Sequence, residues 1–565
     1  MKRINHIAIM TLAMMALSVS GCSDVEGDFR TEEQEPVYVA MVSLNVPGSP
    51  SESGRNVGFD FADGDVAEHD VKNAVFVFYD EEGNLLGSTD VTDMIDWQTE
   101  TGNASITKTG TIQFTTDRKP SSVIALLNTA NMEGDIADKT LSGLQAFREA
   151  SVDNYISSAG GFFMTNSSFY DSNGNKVLQV PLSGHVKEVD SDEIITPAPI
   201  YVERVVAKVS VGMDVKNTIV TGPDGNIAYL MENKNNGEDA PFAIQVTGWG
   251  LNATNKTYAP MKKIDYAWSF YGGLAWNDPA NGRSYWAEDA NYSGGNYLSS
   301  ANYDKITVGN GSAVTSGLDL NYCTLDECIV PIGSSVYCFE NTLDENLLSN
   351  AAAATHIVLR VRYLDVNTDG STSAVSDGYV YKVNGEVWTE SRLKTDIANI
   401  LNNAGYSVVQ DGTEQEQILP EHITFSLEDV YTGNADVKAT IGLVAGLSLQ
   451  LGGTAVSGED LNRTVYGSST IWAYVGGYCY YVVPIRHFIT ATDGTELHTG
   501  YYGVVRNHWY QMTITDIEGF GEPTSYTKPV DPEPEPDPEP EERNWSVSCR
   551  LNILSYTKVN QDVEL

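Results

Sequence analysis

The chain has 565 residues, 41% of them hydrophobic, so a sizeable core is available and the length favours two or more domains. Its formal net charge is −42, with 34 Lys and Arg against 76 Asp and Glu; phosphate binding needs basic patches that such a chain lacks, which argues against nucleic acid as a partner. Gly 50 and Tyr 30 describe a turn-rich, aromatic-rich β protein more than a helical one.

At the N-terminus, Lys2 and Arg3 precede the apolar run HIAIMTLAMMALSV, and Ser20, Gly21 and Cys22 come directly after it. Residues 1–21 therefore read as a signal peptide, too short to span a membrane. A cysteine in this place resembles the lipobox of bacterial lipoproteins, which makes Cys22 the expected site of lipid (palmitate) attachment; an ordinary signal peptide with an incidental cysteine is the alternative. No other stretch reaches the roughly 18 apolar residues of a spanning helix.

The next element, VYVAMVSLNV, alternates with period two and places Tyr38, Ala40, Val42, Leu44 and Val46 on one face. Its other face begins with Val37, Val39 and Met41, which suits a strand buried on both sides. PGSPSESGRNVG comes next, with Arg55 alone among small and turn-forming residues, as in an exposed loop cleavable between Arg55 and Asn56. Arg30, in GDFRTEE, lies before the strand. Asp60, Asp63, Asp65, Glu68 and Asp70 lack the order of a calcium-binding EF-hand loop. They read as a solvated, flexible segment, with calcium as the lesser alternative.

Strand-like runs recur at 73–80, 105–116, 121–129, 201–214, 242–249, 355–366 and 478–485, punctuated by Gly, Asn and Asp clusters such as NTDGST at 367–372. Helix candidates are few: SGLQAFREA at 142–150, and 391–405, where Leu393, Ile397 and Leu401 share a face and Gly405 is a stop. The expected fold is all-β, two tandem β-sandwich domains at 56–200 and 201–522.

Nothing in the sequence carries catalysis, a cofactor or a metal site. Eight histidines are scattered, and no His-Glu-x-x-His, Gly-x-Ser-x-Gly or phosphate-cradling loop occurs. His487 and His508 sit in strand-like runs and read as packed, hydrogen-bonded side chains. Of the remaining cysteines, Cys323, Cys328 and Cys338 are close in sequence, while Cys479 and Cys549 stand alone. A disulfide within the first three and buried free thiols both stay open; zinc is disfavoured because no CxxC pair or nearby His is present.

Near the C-terminus lies an acidic proline run, PVDPEPEPDPEPEER from Pro529 to Arg543, within a linker at 523–543. Such a run stays extended at ~3.1 Å per residue, so it can deliver the final segment ~45 Å away. That segment, 544–565, is a strand with Trp545, Val547, Cys549, Leu551 and Ile553 at every second position. The phase slips after Ile553, where Leu554 and Tyr556 become the apolar set, so a bulge or break should divide the tail into two short strands.

Taken together, the lipoprotein signal, first strand, arginine loop, YVERVVAKVSV at 201–211, YCFENT at 337–342, YYGVVRNHWYQMTI at 501–514, acidic linker and final strand ending in DVEL resemble the Bacteroidales fimbrillins, most of all the major (shaft) subunit of short fimbriae. The resemblance runs from Cys22 to Leu565 and implies transthyretin-like β-sandwiches with a detached C-terminal donor strand. It implies that the lipidated precursor reaches the outer membrane, and that an arginine-specific protease then removes 22–55, after Arg55. The vacated groove would take the C-terminal strand of a neighbouring copy. The implied partners are further copies of the chain, with tip and anchor subunits, in a cell-surface fimbria serving adhesion. A monomeric surface lipoprotein that binds glycans or host ligands, through aromatics such as those of YAWSFYGGLAW at 266–276, is the alternative.

Overall fold

The computed structural model describes residues 37–47, 68, 70–91, 98–101, 105–129, 140–146, 149–150, 156–157, 161–170, 173–231, 241–264, 287–289, 320–342, 353–375, 378–410, 412–415, 417–429, 437–456, 461–487, 500, 502–523, 546–555 and 558–559. The all-β class is what it shows. The first sheet is built from β1 (Val37–Pro47), β2 (Ala74–Tyr79), β3 (Ser105–Thr115), β4 (Ser122–Leu127), β5 (Met164–Asn166), β6 (Val186–Glu188) and β7 (Ala198–Arg204). Its central order is β2-β4-β5-β7-β1-β3. β2 and β4 read as unbroken apolar runs, AVFVFY and SVIALL, because both are buried nearly throughout.

A second pair of sheets shares one core. One contains β8 (Val206–Met213), β10 (Ser335–Phe339) and β13 (His508–Glu518); the other contains β9 (Phe242–Asn252), β11 (His356–Val366) and β12 (Tyr478–Pro484). Val209, Tyr510 and Met512 of the first meet Ile244, Leu359 and Tyr481 of the second in one buried cluster. A third cluster forms around the helix Glu390–Asn403, whose Leu393, Ile397 and Leu401 are fully buried and which stops before Gly405 at φ 83°. The expected helix at 142–150 is shorter, Leu141–Ala146, since Glu149–Ala150 pairs instead with Thr257–Tyr258. That is a long-range pairing overriding a local preference.

β7 and β8 are one run of chain, interrupted only at Val205, that serves both bodies. β7 lies beside β1 in the first sheet, and β8 runs parallel to β13 in the second. Charged residues sit on the buried phase at this crossing, and each has a partner, as burial demands. Arg204 donates through its backbone N and Nη1 to Asn507 Oδ1, at 3.3 and 3.2 Å, and through Nε to the carbonyl of Glu68. Asn507 reaches this position from a left-handed backbone conformation, φ 61°, which asparagine tolerates. Lys208 pairs with Glu68 at 2.9 Å, and the Tyr337 hydroxyl donates to the same carboxylate. Arg506 meets Glu340 at 3.1 Å and donates to the carbonyls of Pro260 and Ala259, while Lys262 lies 3.5 Å from Glu203. Burial holds the Glu203 carboxyl above the usual range, with Lys262 and Arg506 opposing.

Glu68 therefore departs from the solvated segment expected around it: it is fully buried, because Lys208 can be buried only with a counter-charge. Asp70 is partly exposed beside Lys72, and Asp60, Asp63 and Asp65 lie outside the described residues. Removing one partner of a buried pair leaves a stranded charge and costs ~3–5 kcal/mol, whereas replacing both is far less harmful. Glu68→Gln should therefore destabilise the chain by about 3–5 kcal/mol in denaturant unfolding, and adding Lys208→Met should recover most of that loss.

Candidate strand-exchange sites

β1 is an interior strand. It pairs with β3 along its whole length, from Val37 opposite Thr115 to Pro47 opposite Ser105. On its other edge it pairs antiparallel with β6 (Tyr38 opposite Glu188) and then parallel with β7 (Val42 opposite Ala198). Tyr38, Ala40 and Val42 are buried in the first core, and the Tyr38 ring stacks on Phe114 at 6.0 Å. Leu44 and Val46 occupy the paired backbone opposite Lys108 and Ile106. The second face is not buried as expected: Val39 and Met41 are half-buried and Val37 is 40% exposed, since packing covers one side of the sheet. Taking β1 away would leave β3 on one side, and β6 with β7 on the other, each with a free edge.

The tail, expected to stand detached, is instead hydrogen-bonded to the chain's own body. β14 (Ser546–Ser555) runs antiparallel to β13 and is succeeded by β15 (Lys558–Val559), which folds back on it. Two strands are present, but the first keeps its pairing through Leu554 and Ser555, past the break expected after Ile553, because β13 offers partners as far as His508. The bulge lies in β13, between Ile514 and Asp516. Without the tail, β13 would be a sheet edge, a template for any strand in reach. In this register Val547, Cys549, Leu551 and Ile553 stand opposite Ile517, Ile514, Met512 and Tyr510, all four buried. Tyr510 is fixed from below: its hydroxyl accepts from the Val505 amide and is 2.8 Å from His487 Nδ1.

Residues 472–562, which hold β12, β13 and the tail, match the family model for the C-terminal region of fimbrillin, the major fimbrial subunit protein type IV. The chain carries a fimbrillin C-terminal region. No curated protein matches the sequence. Among solved structures, a fimbrilin (fimA) from Porphyromonas gingivalis W83 is similar at 15% identity, with 92% of this chain and 99% of that chain covered and a TM-score of 0.37. A fimbrial assembly protein from Parabacteroides distasonis ATCC 8503 is similar at 8% identity (94% and 100% covered, TM-score 0.31). The C-terminally truncated tip fimbrial protein Mfa3 from Porphyromonas gingivalis is similar at 10% (91% and 99% covered, TM-score 0.30).

The fimbrillin region contains both histidines singled out in the sequence, and both are buried; His508 Nδ1 is 2.8 Å from the Arg506 carbonyl. Cys22, Arg30, Arg55, Asn56, Trp545 and the aromatic run 266–276 lie outside the described residues, and for 547–553 the structure describes the backbone. Among the described residues there is no group of three or more His, Cys, Asp or Glu side chains placed to hold a metal ion, and no helix long and apolar enough to cross a membrane. Sequence reasoning missed Glu68 and Asn507. The available signal was Glu203, Arg204 and Lys208 inside an apolar strand, since charges at buried positions require partners elsewhere.

Two measurements test this geometry. With residues 544–565 deleted, the β13 amides that face the tail should exchange with solvent about tenfold faster or more, while those facing β8 stay protected. Burial pushes the His508 imidazole down to about 3, against an unfolded value near 6.5. Between those values the unfolded chain binds a proton that the folded chain refuses, so stability falls as pH drops below about 6.5, by ~1.4 kcal/mol per pH unit for this residue. The slope of unfolding free energy against pH should flatten by that amount in His508→Asn, whatever the variant's stability at pH 7.

Proposed function

We propose that this protein is the structural shaft subunit of a cell-surface fimbria. In this reading it is exported as a lipoprotein on Cys22, cleaved after Arg55, and polymerised when the tail of one copy fills the groove that β1 leaves in another. It performs no catalysis. The observation that carries the reading is the place of β1: an interior strand, with Arg55 eight residues beyond its last residue, Pro47, in the sequence. Loss of such a strand opens a groove edged on both sides by free backbone groups, the geometry that β-strand addition uses. The tail supplies a strand of matching length, ten residues against eleven.

Having both parts sets the position in the filament. A tip subunit needs a groove and no donor, and a basal anchor keeps its lipid and first strand; this chain has a removable front and a donor tail. Tip and anchor subunits and an arginine-specific protease are the partners this reading requires.

A cut at Arg30 releases the lipid but leaves the groove full, whereas a cut at Arg55 does both. Arg55→Ala should therefore abolish the detergent-resistant multimer ladder and the filaments, and Arg30→Ala should leave both intact. Deleting residues 544–565, or replacing Leu551 and Ile553 by Asp, should give a cleaved subunit that accepts a strand but never donates one. Filaments of normal length from Arg55→Ala, or from the tail-deleted chain as the sole copy, would overturn the mechanism.

A further inference from the structure

Residues 320–330 form a strap across the outer face of the sheet that holds β9, β11 and β12. At one end Leu320–Asn321 pairs with Thr254–Asn255 and the Cys323 amide donates to Asn252 Oδ1 at 2.8 Å. At the other, Val330 and Trp249 exchange two backbone hydrogen bonds of 3.0 Å. Between them lies a single 3-10 turn, Leu325–Glu327, tied off by the Glu327 carboxylate, which accepts from the Thr324 amide (2.7 Å) and hydroxyl (3.1 Å). Leu325 and Cys328 are fully buried against Val358 and Tyr480. The seat is cut for this strap: a Cβ at Gly248 would lie 2.6 Å from the Cys328 carbonyl oxygen, and one at Gly250 would lie 3.0 Å from Cys328 Sγ. The turn so held brings Cys323 Sγ and Cys328 Sγ to 3.7 Å as free thiols. Cys338 and Cys479 belong to a different layer, the core between the two sheets.

We propose that Cys323 and Cys328 are a redox-active pair that closes to a disulfide outside the cytoplasm and locks the turn by which the strap seats on the sheet. The oxidant is of the disulfide class, R–S–S–R, protein or small molecule. Cys323 is the half-buried member and Cys328 the buried one, so as the strap docks Cys323 is the last to be covered and the first to meet the oxidant. The Cys323 thiol loses its proton and attacks one sulfur of the oxidant, forming a mixed disulfide and expelling one R–S⁻. Cys328, deprotonated in turn, attacks Cys323 Sγ and expels the second. One S–S bond forms in the chain and one breaks in the oxidant, and two electrons and two protons leave the cysteines to give two R–SH. The hydrogen bond the Cys323 thiol shares with Cys328, with burial, holds it well above its ordinary value, so the seated strap reacts slowly. Closure therefore belongs to folding, before the strap is seated.

Access to the oxidant rests on the export proposed above, whereas the geometry does not, so the test has two arms. The full chain is recovered from its producing cells, and a second sample is reduced, unfolded and refolded in a glutathione redox buffer. Free thiols are alkylated under denaturing conditions, and the chain is cut by a Glu-specific protease. Cleavage after Glu327 separates the two cysteines, so only a disulfide keeps the pieces joined, at about 2 Da below their summed mass. The expected result is a joined pair in both samples, retained in Cys338→Ala and lost in Cys328→Ser, with a lower Tm after reduction in wild type and no such drop in Cys328→Ser. Full alkylation of both thiols in the refolded chain, or Cys338 as the partner of Cys323, would overturn the proposal on its geometry. A bond in the refolded chain with free thiols in the cell-derived chain would overturn its occurrence in the cell and would count against export.

Discussion

The run from Ala198 to Met213 is the constraint on which the rest of the structure depends. It belongs to two sheets at once, and its direction fixes where each sheet's other strands lie: β1 beside its first half, β13 beside its second. Two β-sheet bodies sharing one run of chain could swivel at Val205, and the buried charges on either side oppose this. Arg204, Lys208 and Arg506 each need partners at defined distances, and those partners come from Glu68, Asn507, Tyr337 and Glu340. A buried ion pair contributes little net stability compared with apolar residues of the same volume, because desolvation offsets the attraction. What it supplies here is geometry. Any relative rotation that parts one pair strands two charges, so the junction has one arrangement of low energy.

That rigidity gives the two ends of the proposed exchange a fixed relation. In the self-docked arrangement β14 has β13 on one edge and, on the other, the short β15 alone among the described residues. In the groove left by β1 it would have β3 along one edge and β6 with β7 along the other. At a net ~0.5–1.5 kcal/mol per ladder bond, a second full edge outweighs a two-residue hairpin. Full burial of an apolar side chain adds up to ~1.5–3 kcal/mol. On the proposed mechanism the own-chain seat would be the weaker of the two and would hold the tail until a groove is vacant.

The strands were legible as alternation or as short apolar runs, and the long helix through the spacing of Leu393, Ile397 and Leu401, because these patterns are local. What was hidden was set by contacts distant in sequence. Nothing near Glu68 announces its burial, since its partner is Lys208 and the hydroxyl of Tyr337. Glu149–Ala150 carries a helical pattern and joins a strand pair because Thr257–Tyr258 lies alongside. The gathering of 379–475 around one helix likewise rests on pairings such as Tyr379 opposite Val475. The tail's alternation was visible, but which edge it occupies is a property of β13, whose buried Tyr510, Met512 and Ile514 create the seat.

The position of Arg55 acquires a structural sense from Glu68. The proposed cut lies between β1, which has to leave, and Glu68, which has to stay, with residues 56–67 between. A cut C-terminal to Glu68 would remove the counter-charge of Lys208 and the carbonyl that receives Arg204, and would loosen the junction while opening the groove. A cut before β1 would leave the groove closed. Only the interval between Pro47 and Glu68 separates the two consequences, opening an acceptor site while keeping both bodies locked. A strand bound in such a groove would then be coupled through β7 and β8 to the β13 edge that presents the next donor. On the proposed mechanism both binding elements are thus joined through the single run of β7 and β8.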